Sequence, residues 1–217
     1  MRPRVAVFKY GVGNIYSISS GVRRAGGDPV VVTSAEELVA ADPDAVILPG
    51  VGCFDAAMKR IGERGAEAIR GMVEEGRPLL GICLGLQLLY EWSEESIDYS
   101  GKPLRGLGLL RGTVKKMKAR KLPHIGWTRV RILRRCRLLR GVRDGTYMYF
   151  IHSYAVPYRE GDETVCATAR HGETVFVAAV EKPPVYATQF HPEKSSREGL
   201  KVLRNFIEVA SERRWRA

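Results

Sequence analysis

Four short apolar runs, each followed by a stretch with helical spacing, constrain this chain more than any other feature. They are RVAVF (residues 4–8), PVVVT (29–33), DAVILPG (44–50) and RPLLGIC (77–83). Runs rich in Val, Ile and Leu with no polar alternation fit strands covered on both faces. Between the first two, Ile15, Ile18, Val22 and Ala25 recur at helix-face spacing over residues 14–26. Ser34 with Glu37 predicts a capping box for a short second helix, and a helical pattern runs from about Phe54 to Glu75. Strands alternating with helices predict a doubly wound α/β fold, with a mostly parallel central sheet flanked by helices.

From about residue 107 the pattern changes to short alternating runs: GTVKKMK, TRVRIL, TYMYFIHSY, TVCATAR and ETVFVAAV. These predict additional antiparallel or mixed strands in the C-terminal half, with turns at Arg143-Asp144-Gly145 and His171-Gly172. VYATQFHPE (185–193) reads as one more strand leading into a loop. A closing helix follows, with Ser195 three residues before Glu198 as its cap and Leu200, Leu203, Phe206, Ile207 and Ala210 on one face. No linker rich in Pro, Gly or Ser and no repeat interrupts the chain, so residues 1–217 are expected to form a single domain.

Composition narrows the classes further. At 45% hydrophobic and 27% charged, the chain is neither disordered nor fibrous. No apolar run approaches the roughly 18 residues of a membrane span. The N-terminus has no signal-peptide pattern, so a cytoplasmic protein without membrane association is expected. Cys53, Cys83, Cys136 and Cys166 lie too far apart for a zinc-ligand or CxxC motif, so neither metal nor cofactor is expected. The net charge of +11 is local: residues 111–143 hold 13 Lys and Arg and no Asp or Glu, leaving 22 basic against 24 acidic residues elsewhere. That strip suits either a solvated Arg-rich surface or a contact with a phosphorylated ligand or an acidic protein face. No nucleic-acid-binding motif accompanies it, and no nucleic-acid partner is expected.

The chemistry concentrates in Leu79-Leu80-Gly81-Ile82-Cys83-Leu84-Gly85-Leu86-Gln87. An apolar strand running through Gly-x-Cys-x-Gly into a helix has the form of a nucleophile elbow, with Cys in place of Ser. The central residue sits on a strained turn, and the flanking glycines remove side chains that would clash there. The alternative for any single Cys is a small buried hydrophobe. A nucleophile needs a base, and the base an orienting partner. Of four histidines, His191 stands out in Gln189-Phe190-His191-Pro192-Glu193, because in an extended segment Glu193 would lie on the same side. Leu48-Pro49-Gly50-Val51-Gly52 closes the third strand with two glycines that let amides approach a ligand, and with the Leu84 amide these could form an oxyanion hole.

GICLGLQ, HPE and PGVG, in that chemistry and spacing, resemble the class I (triad-type) glutamine amidotransferases over essentially the whole chain. Tyr10-Gly11-Val12-Gly13-Asn14-Ile15-Tyr16-Ser17, PGVGCF, His124-Ile125-Gly126-Trp127, Tyr149-Phe150-Ile151-His152-Ser153-Tyr154 and HPEKSS resemble the branch of that family serving histidine biosynthesis. Cys53 departs from the pattern, which has a small residue such as Ala after PGVG.

The resemblance implies L-glutamine as substrate and Cys83, His191 and Glu193 as a catalytic triad. It implies amides near Val51 or Gly52 and at Leu84 as the oxyanion hole, and Gly50, Gln87, Glu95, Ser153 and Tyr154 as the glutamine pocket. It also implies a partner, a (β/α)₈ cyclase subunit that forms a heterodimer with this chain and uses the released ammonia on a phosphorylated aminoimidazole nucleotide. Asn14, Arg23, Trp127 and Lys194 are interface candidates, with core packing as the alternative for Trp127. Two rival readings share these residues: a stand-alone cysteine amidase, and a binding module built on the same scaffold.

Overall fold

The computed structural model describes residues 2–11, 14–97, 101 and 103–214. Val12 and Gly13 of the Tyr10–Ser17 segment lie outside the described residues. The first half alternates strand and helix: β1 (Arg4–Phe8), α1 (Ile15–Ala25), β2 (Asp28–Val32), α2 (Ala35–Ala41), β3 (Ala45–Leu48), α3 (Phe54–Glu74), β4 (Leu79–Ile82) and α4 (Leu84–Leu88). The second half is mainly strands: β5 (Tyr90–Ile97), β6 (Pro103–Arg105), β7 (Leu110–Lys116), β8 (His124–Arg129), β9 (Arg131–Ile132), β10 (Tyr147–His152), β11 (Tyr154–Ala155), β12 (Val165–His171), β13 (Thr174–Lys182) and β14 (Val185–Thr188). A 3₁₀ turn over Pro192–Lys194 and helix α5 (Ser196–Arg214) follow.

The main sheet has the order β2-β1-β3-β4-β14-β13-β12-β9. Strands β2, β1, β3, β4 and β14 are mutually parallel, and β13, β12 and β9 extend the sheet antiparallel. Both faces of β1, β3, β4 and β14 are buried, as the uninterrupted apolar runs require, whereas the edge strand β2 is partly exposed. On β1, Val5 and Val7 join a core with Ile18 and Val22 of α1 and Leu203, Phe206 and Ile207 of α5. Ala6 and Phe8 point the other way, into a core with Leu38 of α2 and Ile61 and Ile69 of α3. A four-stranded sheet (β11-β7-β5-β6) and a two-stranded ribbon (β10-β8) complete the fold.

Three local expectations differ from the structure. The apolar stretch after Cys83 is helical only for Leu84–Leu88 and then becomes β5, because Leu88-Leu89-Tyr90 is apolar without a period that separates helix from strand. Helix α3 is broken at Gly62, whose φ of 64° no continuous helix allows. Ser195 does not cap α5: its hydroxyl donates to the His191 carbonyl at 2.7 Å and accepts from the Tyr149 amide at 3.0 Å, tying the end of β14 to β10. At α2 the Ser34 hydroxyl accepts from the Glu37 amide, as the capping box requires, but the Glu37 carboxylate reaches Thr33.

Candidate active site

Strands β3, β4 and β14 are neighbours and parallel, so residues after their C-terminal ends meet at one edge of the sheet. Open α/β sheets bind ligands at that edge. Gly50–Gly52 follow β3, Cys83 follows β4, and His191 follows β14.

Cys83 occupies the elbow with φ 55° and ψ −105°, a strained conformation for a residue with a side chain. The flanking glycines are sterically required. A Cβ on Gly81 would lie 2.7 Å from the Gly85 carbonyl oxygen, and one on Gly85 would lie 1.8 Å from that of Leu48. Cys83 is 3% exposed, with its thiol 3.5 Å from the Ile151 carbonyl oxygen and 3.6 Å from Gln189 Nε2.

His191 and Glu193 are both buried, and His191 Nδ1 lies 2.8 Å from Glu193 Oε1. The link runs through the Pro192–Lys194 3₁₀ turn, not the extended segment expected from the sequence; the tight turn brings side chains i and i+2 together. His191 Nε2 makes no hydrogen bond of ordinary geometry among the described residues. Catalytic hydrogen bonds of this kind often tighten only when substrate is present. Burial alone would lower the His191 pKa, but the charge of Cys83 and the Glu193 carboxylate outweigh it and raise the pKa to about 10.

The other buried histidines behave oppositely. His152 is pushed down to about 3 and His124 to about 4, in both cases mainly by burial, so both are neutral. His152 Nδ1 is 2.9 Å from the Tyr154 carbonyl, and His124 Nδ1 is 3.3 Å from His152 Nε2. Environments that separate like groups in this way mark the charged member as the acid–base candidate.

A cavity of about 270 Å³ opens over the thiol, lined by Val51, Gly52, Cys83, Leu84, Gln87, Glu95, His152, Ser153 and Tyr154 among others. Every pocket and oxyanion candidate except Gly50 is on this wall. Gly50 lies directly behind it, where a Cβ would come within 2.5 Å of the Tyr10 hydroxyl and 2.9 Å of Leu84 Cβ. Gln87 donates to the Tyr154 carbonyl at 2.8 Å and to Gln189 at 3.3 Å. Glu95 accepts the Phe54 amide at 3.0 Å, supplying the cap that the side chain of Cys53, exposed at the N-cap of α3, does not. Burial raises the Glu95 pKa, against the opposing effect of that amide.

The interface candidates lie apart from the cavity. Asn14 caps α1 by accepting the Ser17 amide, and Arg23 is exposed on the same helix. Trp127 is 51% exposed, which excludes core packing. It stands opposite Tyr149 on the β8–β10 ribbon, with Ile125 and Tyr147 also exposed and Lys194 Nζ 5.8 Å above the Tyr149 ring. In the basic strip, Lys115, Arg137 and Arg140 pair with Glu94, Glu212 and Glu208 of the same chain. Sequence reasoning assigned no role to Gln189 or Tyr10. The i−2 position of Gln189 before His191 was the available signal for the first.

A thiol on a strand-to-helix turn of a doubly wound sheet, beside a buried His–Glu pair, defines a thiol-dependent amidase of the triad type. A family model described as glutamine amidotransferase class-I matches residues 6–209. The chain is 46% identical to imidazole glycerol phosphate synthase subunit HisH of Moorella thermoacetica, over 96% of each chain. It is 45% identical to the protein of the same name from Thermococcus kodakarensis, over 93% of this chain and 98% of that one. A crystal structure of a glutamine amidotransferase superposes with a TM-score of 0.70 at 25% identity, covering 95% of this chain and 98% of the other. The chain belongs to the class I glutamine amidotransferases and, within them, to the family of HisH subunits of imidazole glycerol phosphate synthase.

Proposed function

We propose that this chain acts as one glutaminase domain that hydrolyses L-glutamine through a Cys83 thioester and delivers the ammonia to a cyclase subunit. The observation that carries the reading is the Cys83 turn, with its thiol on the wall of the 270 Å³ cavity and the charged His191–Glu193 pair beside it. The Cys83 thiolate adds to the γ-carboxamide carbon, and the negative oxygen is met by the Leu84 amide and an amide of Val51 or Gly52. His191 gives its proton to the departing ammonia. It then takes one from water, which cleaves the thioester, releases glutamate and restores the thiolate. Glu193 fixes the imidazole orientation and its charge. Glu95, Gln87, Ser153 and Tyr154 receive the amino-acid end of the substrate.

The partner in this proposal is the cyclase subunit of imidazole glycerol phosphate synthase, a (β/α)₈ barrel forming a heterodimer in the cytoplasm. The exposed Trp127 and Lys194 surface supports a docking role for the β8–β10 ribbon, with Asn14 and Arg23 as further contacts. The test is glutamate release from L-glutamine by the chain alone and with the cyclase subunit carrying its nucleotide ligand, with Cys83→Ala as blank. Activity that rises steeply in the loaded complex supports the channelled reading. Full activity of the isolated chain would favour a stand-alone amidase, and silence in both would favour a scaffold.

A further inference from the structure

Three strands across the main sheet from β4, the fold brings together three side chains that the sequence separates. The Sγ atoms of Cys136 and Cys166 and a carboxylate oxygen of Glu181 all lie within 4.8 Å of one another. Each comes from a different element. Cys136 is in the loop after β9, Cys166 is on β12, and Glu181 is near the end of β13. The β12–β13 register breaks between Val165 and Ala167, so Cys166 sits on a bulge. Bulges re-aim a side chain, and this one adds the buried thiol to the cluster.

We propose that Cys136, Cys166 and Glu181 bind a soft divalent cation of the Zn²⁺ class, and that the ion clips the Arg-rich loop after β9 to the antiparallel edge of the main sheet.

Donor type and spacing support this. Tetrahedral Zn²⁺ takes thiolates at ~2.3 Å and carboxylates at ~2.0–2.2 Å, which puts donor atoms nearly 4 Å apart and within a small contraction of those present. Binding replaces both thiol protons with the metal, releasing two protons for one cation. Charge also closes: two thiolates and one carboxylate are matched by a divalent ion and the Arg134 guanidinium, which acts electrostatically on both sulfurs. Arg134 Nε is buried with no hydrogen-bond partner among the described residues, which leaves a donor available to a ligating sulfur.

The ligands are themselves held. Glu181 accepts the Leu138 amide at 2.9 Å through one oxygen, leaving the other for a metal, and the Cys166 carbonyl accepts the Leu133 amide at 2.8 Å. An entry path exists in a cavity of about 620 Å³ lined by Cys136 and Glu181, from which a water supplies the fourth ligand. A disulfide between the two cysteines would not account for the carboxylate converging on both.

The test uses the full chain in a Cys53→Ser, Cys83→Ala background, so that only the two cluster thiols remain. Co²⁺ titrated into the reduced protein is expected to give thiolate-to-cobalt charge-transfer absorption at one ion per chain. Zn²⁺ should abolish those bands and raise the unfolding temperature. Either Cys136→Ser or Cys166→Ser should remove most of the absorption. Glu181→Gln keeps an acceptor for Leu138 and preserves the fold, and should weaken Co²⁺ binding at least tenfold. Bands that are absent, or that survive both serine substitutions, would overturn the proposal. Two missing thiols in the untreated protein, with no cobalt bands after reduction, would overturn it in favour of a disulfide.

Discussion

The Leu84 amide donates to the Gly50 carbonyl oxygen across 3.4 Å, so one expected oxyanion donor is engaged by the wall of its own site. In a trans peptide the N–H points opposite to the C=O, which turns the Val51 amide away from Leu84. Rotation of the Gly50–Val51 peptide would free Leu84 and bring in the Val51 amide together. A second cavity of about 190 Å³ behind this turn, lined by Tyr10, Val51 and Leu84, leaves room for it. A carbonyl displaced into a buried place needs a new donor. The Tyr10 hydroxyl, buried beside Gly50 without a partner among the described residues, supplies one. Tyr10→Phe is therefore expected to leave the stability of the isolated chain unchanged and to lower kcat of the ligand-loaded complex about tenfold, the value of one ordinary hydrogen bond. Equal kcat for both proteins would dissociate Tyr10 from the rotation.

His191 carries a pH signature. Its pKa in the folded chain, about 10, lies above the ~6.5 of an unfolded histidine. The stabilisation it contributes is thus fully present below about pH 6.5 and is lost as pH rises through about 10. Glu193→Gln removes one of the charges that raise the pKa, so its loss of stability should come at lower pH. Thermal unfolding measured from pH 6 to 10.5 should show the two melting curves diverging in the middle of that window. Parallel curves would mean that Glu193 does not set the imidazole charge.

Glu95 joins the cavity to helix α3, and the two roles separate by substitution. Glu95→Gln keeps an oxygen for the Phe54 amide, so the helix cap survives. It removes the negative charge available to the substrate ammonium. A hydrogen bond to a charged group contributes ~1.5–3 kcal/mol, so KM for glutamine should rise roughly 10–100-fold with kcat little changed. In the unsubstituted protein KM should rise as pH falls through the elevated Glu95 pKa. A fall in kcat with constant KM would place Glu95 in the chemistry instead.

Much of this site is legible in the sequence, because it is built from local backbone devices. Gly81 and Cys83 encode the elbow through sterics acting within five residues, Gly85 adds its close approach to Leu48 of β3, and His191 and Glu193 meet across one turn. The central parallel strands are equally readable, since burial on both faces leaves their middles uninterruptedly apolar. Contacts made across the fold were not. Gln189 reaches Cys83 only because β14 lies next to β4, and Glu95 reaches Phe54 only because β5 follows a five-residue helix that the apolar run concealed. Ser195 looked like a cap from its spacing to Glu198, yet tertiary partners at His191 and Tyr149 took its hydroxyl.

Two glycines, Gly85 of the elbow and Gly71 of α3, give predictions of opposite sign. Gly85 packs so tightly that a methyl group would lie 1.8 Å from the Leu48 carbonyl oxygen, a backbone atom of the central sheet that cannot swing aside. Gly85→Ala must move β3 or the start of α4, and overpacking of this kind costs ~1–3 kcal/mol or more. Gly71, within α3, has no atom within 4 Å of a built Cβ and no positive φ. There alanine removes only the excess freedom of glycine in the unfolded chain, and Gly71→Ala should stabilise by ~0.5–1 kcal/mol. Urea unfolding of both variants should move the midpoints in opposite directions. Glutaminase activity should be unchanged in Gly71→Ala and reduced in Gly85→Ala, since the displaced α4 carries the Leu84 amide. Destabilisation by both substitutions would show that α3 tolerates no added side chain at residue 71, and an unaffected Gly85→Ala would refute the steric account of the elbow.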